Sequence, residues 1–232
     1  MHLRERGTRV GRTIRPKEFS FAPLLALILV SLIFQLAAPE GNGARFVTLI
    51  LQGVTLLLAL RVSGTRRALV HVARIAVAIA IIGSTGLLLG TGGLATDESK
   101  VVTLLLVAGA PVAIAMGVVR HVREQQGVTM PTMFGVLCIY LLIGMLFAFV
   151  FSVVDHLAST PFFVHGAEDQ ADFLYFSFTT ITTTGYGDYV PATNLGHSLA
   201  ITEALVGQIY LVTVVAVIVS NLRPRQRPGD GA

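Results

Sequence analysis

The sequence predicts an all-α membrane protein, with six transmembrane helices plus a re-entrant helix and loop between helices five and six. Three observations carry that fold class. Mean hydropathy is +0.75, with 53% hydrophobic residues against 13% charged, well outside the balance of a soluble domain. The apolar residues gather into six runs, each near the roughly 20 residues a helix needs to cross about 30 Å of hydrocarbon. Lysine and arginine collect in alternate gaps between those runs.

The spans are placed at Phe19–Ala38, Phe46–Val62, Ala68–Leu89, Val101–Val119, Thr132–Val154 and His197–Asn221. Gly and Pro punctuate the gaps, as in Ala38 to Gly43 and Gly90 to Gly93, where a helix loses hydrogen bonds or conformational entropy. This divides the chain into a basic arm (1–18), a four-helix N-terminal membrane region (19–131), a second membrane domain (132–222) and a short tail (223–232). No stretch outside the spans is long enough for a separate soluble domain.

Orientation follows from the basic residues, which are retained on the cytoplasmic side. Arg4, Arg6, Arg9, Arg12, Arg15 and Lys17 precede the first span. Arg61, Arg66, Arg67 and Arg74 flank the second loop, Arg120 and Arg123 follow the fourth span, and Arg223, Arg225 and Arg227 lie beyond the sixth. The alternate loops hold only Arg45 and Lys100. Both termini are therefore expected in the cytoplasm of a cell with the protein in its plasma membrane, and Asp155 to Asn194 outside. A first apolar span after a basic leader also reads as a cleaved signal peptide, with Leu36, Ala37 and Ala38 as a cleavage-like ending; cleavage would leave the downstream orientation unchanged.

Composition excludes several function classes. The single cysteine, Cys138, lies in an apolar run, so neither a disulfide framework nor a cysteine metal site can be drawn. A formal charge of +4 suggests no nucleic-acid partner, because the basic residues are short clusters beside spans. No nucleophile with a base and no metal-spaced His/Asp/Glu cluster supports an enzyme.

Between spans five and six, Gln170 to Thr182 is too short to cross the bilayer but long enough to enter it and stop. Glu168, Asp169 and Asp172 stand at its start, where carboxylates meet the positive end of a helix dipole. Thr182, Thr183, Thr184, Gly185, Tyr186, Gly187 and Asp188 follow. Taken alone, Gly-Tyr-Gly-Asp is an ordinary turn composition. After a half-length helix and between two full spans, it resembles the signature of the tetrameric potassium-channel family, whose filters select K⁺ with rings of backbone carbonyls. The resemblance covers Thr132 to Asn221, with Thr184 where the family usually has valine.

The resemblance implies K⁺ coordination by the carbonyls of Thr183, Thr184, Gly185 and Tyr186, with the Thr183 hydroxyl completing the innermost site. Gly185 and Gly187 can take positive φ without steric cost. Tyr186 is expected to pack outward against Tyr175 and Phe176, with Asp188 at the outer mouth. K⁺ is the permeant ion, no cofactor is implied, and one filter per chain implies a homotetramer in the lipid bilayer.

In the sixth span, Gly207 sits where the family often has a bending glycine; close helix packing is the competing reading. Gln208, Leu211, Val215 and Val219 form one helical stripe that, with Thr182, would line the cavity and gate. Glu203 is the one carboxylate deep in a span, a functional hypothesis by default. It lies about 140° around the helix from Gln208, so it should face the pore helix and accept hydrogen bonds from Thr179 or Thr180. A protonation-dependent filter gate is the alternative.

A voltage sensor needs arginine at every third position of one helix. Val101–Val119 has no charged residue, and Arg66, Arg67, His71 and Arg74 fade after two turns. The N-terminal arm either binds anionic lipid or only sets orientation. His156 and His165 read as solvated loop residues or external pH sensors. The expectation is a voltage-insensitive K⁺ channel; the alternatives are a non-conducting regulatory subunit and the membrane subunit of a K⁺ uptake transporter, which typically carries four degenerate repeats in one chain.

Overall fold

A computed structural model describes residues 21–38, 41–62, 71, 73–75, 77–78, 130–167 and 169–221. Among the described residues the protein is α-helical with no strand: α1 (Ala22–Ala37), α2 (Asn42–Val62), α3 (Met130–Leu157), α4 (Gln170–Ile181) and α5 (Asn194–Asn221). Met133–Leu157 and Asn194–Val214 are long and apolar enough to cross a membrane, and two shorter apolar helices cover Ala22–Ala37 and Phe46–Val62. The basic arm, the fourth span, Glu168, the tail and most of the third span lie outside the described residues.

Helix boundaries follow local chemistry. Pro23 falls in the first turn of α1, where its missing N–H has no intrahelical partner to lose. The second helix starts at Asn42, four residues before the expected Phe46 and inside the Gly-rich linker. At a helix start the first N–H groups lack partners anyway, so Gly43 costs little there. Likewise α5 begins at Asn194 rather than His197, with the Thr193 hydroxyl accepting from Gly196 N at 3.2 Å.

The long helices α3 and α5 frame the short α4, and α1 packs against both α3 and α4. Phe21, Leu24 and Ile28 of this first helical region are buried in the same core as Cys138, Leu142, Met145, Ala148 and Leu174. Inside the apolar layer α1 and α2 also share polar contacts. Gln35 donates to the Ser31 carbonyl at 3.0 Å, and Gln52 donates to Gln35 at 3.3 Å. Such bonds join helices where lipid supplies no hydrophobic drive between them.

Above α3 an aromatic cluster fixes the entry to α4. Phe162 meets Phe151 and Phe163 at centroid distances of 5.0 Å and Phe176 at 6.0 Å. The loop is closed by Asp155, whose Oδ1 accepts from Phe162 N at 2.7 Å. Backbone bonds from Val164 N to Val190 O (3.0 Å) and from Ala192 N to Phe162 O (2.7 Å) tie it to the segment after the filter-like loop.

Candidate functional site

The site is built on the two ends of α4. Its start is a capping box: Asp169 accepts from Ala171 N at 2.7 Å and Asp172 N at 3.3 Å, while Asp172 Oδ2 accepts from Asp169 N at 3.3 Å. Two orphan amides of the first turn and the cap's own amide are thereby satisfied. Asp172 has a second task, since its Oδ1 accepts from the Tyr189 hydroxyl at 2.7 Å. The helix start is thus clamped to the segment leaving the loop.

At the other end, the orphan carbonyls of α4 are taken by the loop's own amides. Thr183 N donates to Thr180 O at 2.9 Å, and Thr184 N and Gly185 N both donate to Thr179 O, at 2.8 and 3.1 Å. This is a Schellman ending, with Thr182 as C-cap and Thr183 in the left-handed position that glycine usually fills. Thr183 accordingly has φ +58°, a rare value for a β-branched residue.

From there the backbone alternates in the sign of φ. Thr183, Gly185 and Gly187 have φ of +58°, +54° and +81°, while Thr184 and Tyr186 keep negative φ. An extended strand points successive carbonyls to opposite sides. Residues of alternating φ sign can turn successive carbonyls toward one side, the reverse face of an amide nest. Such a column of oxygens suits a cation that has shed its water. All seven residues from Thr182 to Asp188 are exposed on the single chain.

Aromatic residues brace the column from behind. Tyr186 stacks on Tyr175 with centroids 6.3 Å apart and planes 9° from parallel, yet remains 71% exposed. Among the described residues Tyr186 makes no ring contact with Phe176, contrary to expectation. Phe176 turns the other way, 5.3 Å from Phe151 and 5.1 Å from Phe163, because successive helical positions lie about 100° apart. Tyr175 also donates to Asp188 Oδ2 at 2.7 Å.

That bond holds the Asp188 carboxyl below its ordinary range, outweighing the opposing desolvation. Stability from such a lowered group is present above its ordinary pKa and is lost as pH falls through the lowered one. Tyr175→Phe removes the donor, so Asp188 should protonate at higher pH than in the wild type. The check is acid titration of ion flux from the outer side, where the variant's midpoint should move upward.

On α5, residues Gly196, Glu203 and Gly207 are buried at seven- and four-residue spacing; Gly196 faces Pro191 and Phe162, and Glu203 and Gly207 face α4. A Cβ at Gly207 would lie 2.5 Å from Ile181 Cγ1 and 3.0 Å from the Ile181 carbonyl oxygen. Close packing against α4 is therefore what the structure asks of this glycine. Gly207→Ala should cost about 1–3 kcal/mol through overpacking, read as a lower melting temperature of the solubilised protein.

Gln208 is exposed on another face, its Nε2 3.5 Å from Thr183 Oγ1 at the base of the column. Leu211 is exposed further down. Val215 and Val219 continue the same helix, but their side chains lie outside the described set. Thr182 Oγ1 donates to Phe178 O at 2.6 Å and meets Thr184 Oγ1 at 2.9 Å.

Glu203 is completely buried, and its partner differs from the expectation. Ser177 Oγ lies 2.5 Å from Glu203 Oε1. Thr179 turns its hydroxyl onto Phe176 O at 2.9 Å instead. Ser177 also reaches the Gly144 carbonyl at 2.6 Å, so one small hydroxyl touches both long helices. Sequence reasoning missed Ser177, along with two tyrosines that reach across helices: Tyr140 donates to Ile181 O at 3.1 Å, and Tyr210 to Val136 O at 2.6 Å. A signal existed, since a buried carboxyl and mid-span tyrosines each need a polar partner.

Residues 135–223 match the family model described as ion channel. A stretch of 46 residues is 50% identical to "Probable potassium channel protein 2" of Methanocaldococcus jannaschii. That match covers 18% of this chain and 13% of the relative's length.

Proposed function

We propose that the chain is a subunit of a voltage-insensitive, potassium-selective channel, a reading supported by the match of residues 135–223 to the ion-channel family model. The observation that carries this reading is the positive φ at every second residue, Thr183, Gly185 and Gly187. K⁺ exchanges its hydration shell for carbonyl oxygens as it passes. The carbonyls of Thr183, Thr184, Gly185 and Tyr186 form the column, and the Thr183 hydroxyl adds the innermost oxygen. Ions move down their gradient with no bond made or broken, so neither a catalytic residue nor a cofactor takes part.

One chain supplies one side of the cage, so four copies close it around a common axis. The exposure of Thr182 to Asp188 and of Tyr186 supports an assembly in which neighbours cover them. Leu205, Val206 and Ile209 of α5 are exposed, apolar and available for the same contact. The absence of charge from Val101 to Val119 supports voltage insensitivity. The one-sided lysine and arginine supports a plasma-membrane protein with cytoplasmic termini and an arm that meets anionic lipid.

The test uses purified protein in liposomes, with cation uptake measured in K⁺ or Na⁺ and the native mass of the particle taken in detergent. A four-chain particle with uptake of K⁺ and not Na⁺ is expected. A monomer, or equal uptake of the two ions, would sink the reading.

A further inference from the structure

Three buried oxygens behind the loop raise a counting problem. Ser177 Oγ of α4 lies 2.6 Å from the Gly144 carbonyl of α3 and 2.5 Å from Glu203 Oε1 of α5. Each contact needs a hydrogen between its oxygens. Ser177 has a single hydroxyl hydrogen and a peptide carbonyl has none. The second hydrogen has one available source, the carboxyl group of Glu203. Its other oxygen, Oε2, is buried without a hydrogen-bond partner among the described residues. A carboxylate there would sit in an apolar layer with one oxygen unsatisfied and no cation within bonding reach among the described residues.

We infer that Glu203 is a neutral carboxylic acid that donates through Oε1–H to Ser177 Oγ, while Ser177 donates to Gly144 O, and that this relay positions the filter. The functional half rests on the channel reading above. Ser177 and Glu203 are both 0% exposed, so water does not compete for either bond. Ser177 stands two residues before Thr179, whose carbonyl receives the amides of Thr184 and Gly185. The relay therefore fixes the helix end from which the carbonyl column hangs. Glu203 touches no ion and acts through α4, as a positioning residue. Deprotonation would place two lone-pair oxygens against one another at the Ser177–Gly144 or the Ser177–Glu203 contact and slacken the link between three helices.

Infrared spectra of the full-length protein in liposomes test the proton. The chain has seven glutamates, and at neutral pH only a shielded one retains its acid form. With ¹³C-carboxyl glutamate, a protonated C=O stretch that shifts with the label is expected, and Glu203→Gln should remove it. Glutamine donates N–H to Ser177 as the acid does, so Glu203→Gln should keep the K⁺/Na⁺ permeability ratio within about twofold. Glu203→Leu and Ser177→Ala each break the relay and should lower the ratio about tenfold.

A spectrum with only ionised glutamate overturns the inference, as does a Glu203→Gln variant that loses selectivity as far as Glu203→Leu. The labelled wild type needs no variant to fold. If it passes no K⁺, the channel reading and the positioning role fail together, while the band on the same sample still upholds or overturns the proton.

Discussion

Gly185→Ala is expected to abolish K⁺-selective flux while leaving four-chain particles intact. A Cβ at this position meets nothing within 4 Å in its own chain, so no clash within the chain is the cause. The cause is the backbone, which sits at φ +54°. Holding an L-residue in the left-handed region costs roughly 1–2 kcal/mol, and a symmetric tetramer carries that strain at four equivalent places around one ion. The least costly escape is to turn the residue to negative φ, which swings a carbonyl out of the column. Flux in liposomes and native mass, measured on the same preparation, check both parts of this outcome.

Phe162→Ala is expected to be the most destabilising single change in the outer layer. Phe162 is 1% exposed and joins the loop after α3 to α4 through Phe163, Phe173 and Phe176. Removing a buried ring of this size costs about 3–5 kcal/mol, because the cavity collapses only in part. The lost packing lies beside the capping box of α4, so the helix start should loosen. Thermal unfolding of the solubilised protein should show a large fall in melting temperature, and amide exchange should rise first at residues 162–173.

These two residues also mark what the sequence makes legible. Gly185 was legible because the segment Thr182 to Asp188, after a half-length helix and between two spans, resembles the potassium-channel signature. The short helix itself was placed to one residue, since Asp169 and the Thr-rich end mark both termini chemically. Phe162 was not legible. In an apolar chain another phenylalanine carries no information until the loop's path is known.

The miss at Glu203 has a similar cause. Its face of α5 could be read from helical rotation alone, and the side chain does point at α4. Which residue of α4 meets it depends on the rotation of that helix, and one position changes the direction by about 100°. Ser177 faces inward, whereas Thr179 and Thr180 lend their carbonyls to the loop. The same rotation separates Tyr175, which stacks on Tyr186, from Phe176, which joins the aromatic cluster. The left-handed backbone of Thr183 was not legible for a different reason. A β-branched residue gives no hint of positive φ, and only the Schellman bonds around it explain that conformation.

The most direct test of the central claim is the reversal potential of the purified protein in a planar bilayer with K⁺ on one side and Na⁺ on the other. A reversal potential far toward the K⁺ equilibrium value, unchanged by the voltage protocol, is the expected result. A reversal potential near zero would contradict the claim that the carbonyl column selects K⁺.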